Sequence, residues 1–259
     1  TQGFYYNIST TTTPNWAFLV PNSCTGYDNL VIQSTSTSTV TITADRLCVD
    51  SLSLTNLTAT VSITATGAGG LDAGSEAGST WYYIFVISND AGTSVNGLLS
   101  LSSTAPTMPA GYTKKRRVGA VRNDGSNNFI QFVQEGNKVI YTEDVSSLNV
   151  LASGQSIVWV SVSCATLVPS TSKIAKILLH ANYTSGINAM NLGVRPLGSN
   201  VTMGVEILSL STVVAGSATR GNKTIDCPTN ATQNIEYKLS YAPTTEGAYI
   251  YITGYYDRF

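Results

Sequence analysis

Leu52-Ser-Leu-Thr-Asn-Leu-Thr-Ala-Thr-Val-Ser-Ile63 alternates apolar and small polar side chains along almost its whole length. Successive side chains of a strand point to opposite faces, so this period of two marks a strand half buried against a core. The apolar phase is even at Leu52 and Leu54 but odd at Leu57, Ala59, Val61 and Ile63, so it flips around Asn56. A one-residue slip would turn the core face outward, and a bulge or tight turn is expected there to absorb it. Upstream the same pattern runs through Leu30 and Ile32, then through Val40 and Ile42 set between threonines. Residues 1–26, with a threonine run and Pro14 and Pro21 close to Trp16, read instead as an irregular arm.

Downstream, 67–79 is a Gly/Ala/Ser loop carrying Asp72 and Glu76. It leads into Trp81-Tyr-Tyr-Ile-Phe-Val-Ile87, an apolar run without alternation, as a central strand covered on both faces requires. Asn89–Gly92 is a turn signal. Lys115–Val121, Phe129–Gln134 and Lys138–Tyr141 read as further strands, separated by hairpin-type sequences at Asn123–Gly125 and Glu135–Asn137. The pattern breaks at 142–154. It resumes with strands expected over Ile157–Leu167, Ile174–Asn182, Met190–Arg195, Val201–Leu210, Ile235–Leu239 and Ala248–Tyr255, although Ile174, Ile177 and Leu178 also fit helical spacing. Turn-bounded strands at this density predict an all-β protein of two antiparallel, sandwich- or jelly-roll-like domains, 27–145 and 146–259, behind the arm.

Composition agrees. Hydrophobic residues make up 42% and charged residues 11%, against about 25% charged in an average domain. The chain is rich in Thr, Val, Ile and Tyr, which disfavours both helix and disorder. A net charge of −1 provides no field to steer the chain to nucleic acid or anionic lipid. No apolar run reaches the ~20 residues of a membrane helix, and no signal-peptide pattern is read at the start.

Few residues invite chemistry. The four cysteines form no CxxC pair, so no zinc site is expected, and of three possible pairings Cys24–Cys48 is the foremost candidate for a single disulfide. Six Asn-x-Ser/Thr triplets, at Asn7, Asn56, Asn182, Asn200, Asn222 and Asn230, are expected by chance in so Ser/Thr-rich a chain. His180, the only histidine, sits among apolar neighbours without a nucleophile elbow, so a structural role is expected. Glycoside hydrolysis would need two acids across a sugar bond; Asp72, Glu76, Asp124, Glu143 and Asp144 lie near turns and read as caps. No catalytic residue, cofactor or metal is expected. Lys114–Arg117 with Arg122 forms a basic strand, but alternation lets only two or three of these point one way. Lys115, Arg117 and Arg122 are the cations expected at a surface or ligand contact. Tyr249, Tyr251, Tyr255 and Tyr256 are the aromatic counterparts, since a tyrosine combines an apolar body with a polar tip.

Four blocks carry a resemblance. Gly69-Gly-Leu-Asp-Ala-Gly-Ser-Glu-Ala-Gly-Ser-Thr-Trp-Tyr-Tyr-Ile-Phe-Val-Ile87 is followed by Ser103-Thr-Ala-Pro-Thr-Met-Pro-Ala-Gly-Tyr112, Arg117-Val-Gly-Ala-Val-Arg-Asn-Asp-Gly-Ser126 and Asn128-Phe-Ile-Gln-Phe132. In order and spacing these resemble a segment of tailed-bacteriophage and prophage tail or minor structural proteins, over about 67–141. The resemblance implies a non-enzymatic protein of the virion exterior, as tail fibre, host-recognition module or capsid decoration. It implies partners that are further copies of the chain, often three, and other virion proteins. A host-surface glycan is a further expected partner, and a carbohydrate-binding receptor module or a polysaccharide depolymerase are the alternatives.

Overall fold

The computed structural model describes residues 4–7, 16–19, 24–184, 189–202, 204, 206–211, 218–243 and 246–259. Strands β1 (Phe4–Asn7) and β2 (Trp16–Leu19) pair antiparallel, so the arm expected to be irregular contains a two-stranded ribbon. β3 (Tyr27–Asp28), β4 (Val31–Ser34), β5 (Thr39–Val49) and β6 (Leu52–Ser62) follow. Next come β7 (Trp81–Ser88), β8 (Val95–Ser100), β9 (Lys114–Arg122), β10 (Phe132–Glu135) and β11 (Lys138–Tyr141). A single 3-10 turn over Val145–Leu148 precedes β12 (Asn149–Gly154), β13 (Val160–Ser163) and β14 (Ile174–Thr184). The last strands are β15 (Ala189–Pro196), β16 (Glu206–Ser211), β17 (Ala218–Pro228), β18 (Asn234–Leu239) and β19 (Glu246–Tyr256). The fold is all-β, antiparallel and sandwich-like, with its largest sheet curled into half a barrel.

The phase flip has a symmetrical cause. In β6, Thr55 and Asn56 are both exposed, and Asn56 takes φ 48°, a left-handed conformation that asparagine tolerates better than most residues. In β5 the apolar phase changes at the facing Asp45 and Arg46. Ala44 pairs with Leu57 and Arg46 with Thr55, so Asp45 stands opposite Asn56 outside the ladder. Both strands therefore shift phase together, and Leu47, Leu54, Leu57 and Val61 all stay in the core.

β7 is central in the sheet β8-β7-β9 and is buried from Tyr82 to Ser88. Tyr82, Ile84 and Val86 join the main core, while Tyr83, Phe85 and Ile87 form a second cluster with Leu98 and Ala120. Met108 and Tyr112, from the proline-punctuated crossing, cover that cluster. This two-sided burial is what the unalternated apolar run demands.

The ten-stranded sheet runs β17-β14-β19-β11-β10-β4-β5-β3, with β12 added to β19 and β6 to β5. β13-β18-β15-β16 forms a third sheet. The division expected near residue 145 does not separate two sheets or two cores. β11 pairs with β19, Val139 opposite Tyr255, and one cluster contains Ile42, Tyr82, Leu192 and Tyr255. Gly254 permits the join, because a Cβ there would lie 2.1 Å from the Val139 carbonyl oxygen.

Other boundaries differ. Asn123–Gly125 turns the chain back through a single antiparallel bridge, Asn123 opposite Phe129, but the pairing ends there: β9 pairs with β7, and β10 lies in another sheet. β13 occupies only part of the strand expected over Ile157–Leu167, and β16 begins later than Val201. β14 is a strand, with Ala175, Ile177, Leu179 and Ala181 buried and Lys176, Leu178 and His180 half exposed. Cys24 and Cys48 form a disulfide, Cα to Cα 5.4 Å across a separation of 24 residues, a closure that stabilises by about 3 kcal/mol in the chain-entropy model.

Candidate binding surfaces

The basic strand β9 is largely tied into the fold. Lys114 Nζ lies 3.4 Å from Asp90. Arg116 donates to the carbonyls of Gly26 (2.7 Å) and Cys48 (2.8 Å), and its guanidinium lies over the Tyr27 ring. Arg117 is a correction to the expected surface contacts. It donates to Asp257 Oδ2 at 2.6 Å, with side-chain exposures of 11% and 0% for the pair, and also donates to the Arg258 carbonyl. Lys115 remains half exposed, its backbone N–H donating to Asp50. Arg122 is half buried and donates one N–H to the Ser79 carbonyl at 3.2 Å. As alternation requires, no five-cation patch forms.

Tyr255 is the second correction. Between Lys176 and Ile177 the pairing of β14 with β19 slips, leaving Thr253 as the extra residue. Tyr249, Tyr251 and Thr253 face outward, and beyond the bulge Tyr255 turns inward and Tyr256 outward. Tyr255 is buried and donates to the Ala120 carbonyl at 3.0 Å. Tyr256 donates to Asp226 at 3.0 Å, beneath the Lys176 ammonium that also pairs with Asp226. Tyr249 and Tyr251 remain together: their rings lie 6.5 Å apart and within 6° of parallel, a flat aromatic step on the outer sheet face. His180 extends it, 5.5 Å from Tyr249 and hydrogen-bonded through Nδ1 to Asn222 Oδ1 at 2.5 Å. Ser153 Oγ meets the Tyr249 hydroxyl at 2.8 Å.

The acids mostly act as caps. Asp72 accepts from the Thr107 N–H, Glu76 from Asn123 Nδ2, and Asp144 from the Ser146 N–H. Asp124 accepts from the N–H groups of Ser126 and Asn128, which, Asn128 foremost, hold its carboxyl below the usual carboxylate range. Glu143 accepts from the Gln131 N–H. Asp124 and Glu143 do come together with Arg122 along one cleft, a grouping their sequence spacing does not show. Among the described residues no group of three or more His, Cys, Asp or Glu side chains could hold a metal ion.

A further surface, missed in sequence, lies before and along β13. Ile157, Val158 and Val160 are 55%, 64% and 41% exposed. They flank Trp159, whose ring carries Arg195 at 4.1 Å and Lys238 at 5.1 Å. β13 is an edge strand, and residues 157–163 contain neither charge nor proline, the devices that normally guard an edge. The edges at β9 and β17 are guarded, by Lys114–Arg117 and by Arg220, Lys223, Asp226 and Pro228. The combination of exposed β-branched residues and a missing guard is the signal that could have found this edge.

The four blocks quoted from 69–132 converge on one unit. Thr107 bonds Asp72, Asn123 bonds Glu76, and the Ser79 N–H donates to the Asp124 carbonyl at 2.7 Å. The fold defines an antiparallel all-β, sandwich-like protein. In comparisons with known proteins, no family model and no curated sequence matches the chain.

Proposed function

We propose that this chain is a non-enzymatic structural protein of a tailed-bacteriophage virion surface, acting as a self-associating β-scaffold. The observation that carries the reading is the unguarded apolar edge around β13: it offers unpaired backbone groups and β-branched side chains to a strand of another copy. The resemblance of the four blocks supports the particle, and their convergence on one packed unit fits a scaffold. Capping roles for most of the acids fit the same reading. Light scattering on the purified chain is expected to show an oligomer, reduced to monomer by Val158→Lys with Val160→Lys at unchanged circular dichroism. A monomeric parent at every concentration would remove the self-association, and absence of the chain from purified particles by mass spectrometry would remove the virion.

A second reading, host-glycan binding, is favoured by the parallel Tyr249 and Tyr251 rings, whose apolar faces and hydroxyl tips suit a sugar. Here Tyr249→Ala with Tyr251→Ala is expected to weaken glycan-array binding about tenfold or more, about 1.4 kcal/mol. An array blank for the assembled protein would end this reading.

A further inference from the structure

Between the connection that follows β9 and the 3-10 turn before β12 lies a cleft of about 240 Å³. Its polar side chains are Arg122, Asp124, Glu143, Asn149, Ser147 and Thr166, and Ile130 and Leu167 supply an apolar side. Three features mark it as built to receive a ligand. Arg122 is half exposed, its one hydrogen bond goes to the Ser79 carbonyl, and no carboxylate lies within 4.0 Å of the guanidinium among the described residues. A guanidinium has five N–H donors, so several remain for an oxygen brought into the cleft. Asp124 and Glu143 are fixed by backbone N–H donors, yet a carboxylate has about four acceptor sites, so both keep capacity for hydroxyl donors. Asn149, at the start of β12, adds an amide able both to give and to accept.

The chemistry of the set selects its occupant. One guanidinium against two carboxylates leaves the cleft with a formal negative charge, which repels an anionic sugar or phosphate. An amine would suit the carboxylates but be repelled by the Arg122 guanidinium. A neutral polyhydroxylated ring fits all of them: hydroxyls donate to Asp124 and Glu143, an oxygen accepts from Arg122, and the C–H face rests on Ile130 and Leu167. At about 240 Å³ the cleft is below the ~300–1,000 Å³ of drug-sized sites, which limits the occupant to a single ring.

We propose that this cleft binds one neutral saccharide unit, at a site separate from the Tyr249–Tyr251 face. The proposal rests neither on virion assembly nor on that face. Its test is a titration of the intact protein followed by its amide NMR spectrum, using methyl α-glucopyranoside, methyl α-galactopyranoside, L-rhamnose, glucuronate and glucosamine. At least one neutral sugar is expected to produce saturable shifts at 122–125, 143–149 and 166–167, in the millimolar range. Glu143→Gln and Asn149→Ala, whose folding the same spectra verify, are expected to weaken it about tenfold, about 1.4 kcal/mol, while Tyr249→Ala, away from the Tyr251 that pairs with Asn149, leaves it unchanged. No saturable shift with any neutral sugar overturns the proposal. So does binding of glucuronate or glucosamine alone, a response centred on Tyr249 and Tyr251, or parental affinity in both cleft variants.

Discussion

Asp257→Ala is expected to lower the stability of the protein by about 3–5 kcal/mol, the cost of breaking a buried ion pair by removing one partner. Asp257 is fully buried and bonds Arg117 at 2.6 Å. Its own N–H donates to the Asn137 carbonyl at 2.8 Å, and Oδ1 accepts from the Arg258 N–H. The pair ties the segment after β19 to β9, in a different sheet. Without the carboxylate, Arg117 is left charged over the Tyr83 ring with little water to solvate it. Urea unfolding of the variant measures the loss, and a change below about 1 kcal/mol, the scale of an exposed pair, would show that Arg117 reaches solvent. Replacing both partners, as Arg117→Met with Asp257→Leu, is expected to recover most of the loss, because apolar residues of similar volume often serve as well as a buried pair.

The second large effect comes at alkaline pH. Tyr141 and Tyr255 are buried, donate to the carbonyls of Leu167 (2.7 Å) and Ala120 (3.0 Å), and lie 6.0 Å apart by ring centroid. Burial raises both phenols above their ordinary value, whereas in the unfolded chain each ionises near pH 10. The folded state therefore binds two protons that the unfolded state releases. Their contribution is complete below about pH 10 and falls as pH rises beyond it, by about 1.4 kcal/mol per pH unit for each phenol and about 2.7 for the pair. Burial pushes the Cys164 thiol up to about 12, which acts in the same direction. Each pH unit over which both phenols stay protonated in the folded state therefore removes a sizeable part of the about 5 kcal/mol that holds a marginal domain together. Denaturant titrations between pH 9 and 12 are expected to show a stability that falls with pH, with Tyr141→Phe lowering the slope by one phenol's share, about 1.4 kcal/mol per pH unit. A stability flat across that range would mean that the two hydroxyls reach water.

Local pattern carried much of the strand structure. The alternation in β5 and β6 gave their faces, the flip at Asn56 gave an irregularity where one exists, and the unalternated run of β7 gave a strand covered twice. Distance along the chain hid the rest. β11 joins β19 through partners such as Lys138 and Tyr256, which no local window relates, so the break in pattern at 142–154 carries no sign that one sheet runs across it. β17 was missed because only Ile225 and Cys227 are buried at its inward end while exposed polar residues alternate with them, the writing of a sheet edge that resembles a loop. Tyr255 was grouped with Tyr249 and Tyr251 by strict alternation. Gly254, inside an apolar strand, was the available sign of irregular pairing. The basic strand gave its faces but not its partners, since Asp257 is 140 residues from Arg117.

The placement of β19 between β14 and β11 makes the order of synthesis matter. Until residues 246–256 leave the ribosome, the long β14 and the short β11 wait with open hydrogen-bonding sides, and the nascent chain holds an incomplete sheet whose missing member is made after both of its neighbours. Closure then depends on contacts of very large sequence separation, the topology that folds slowly, and during that wait the exposed sides are open to pairing with other nascent chains.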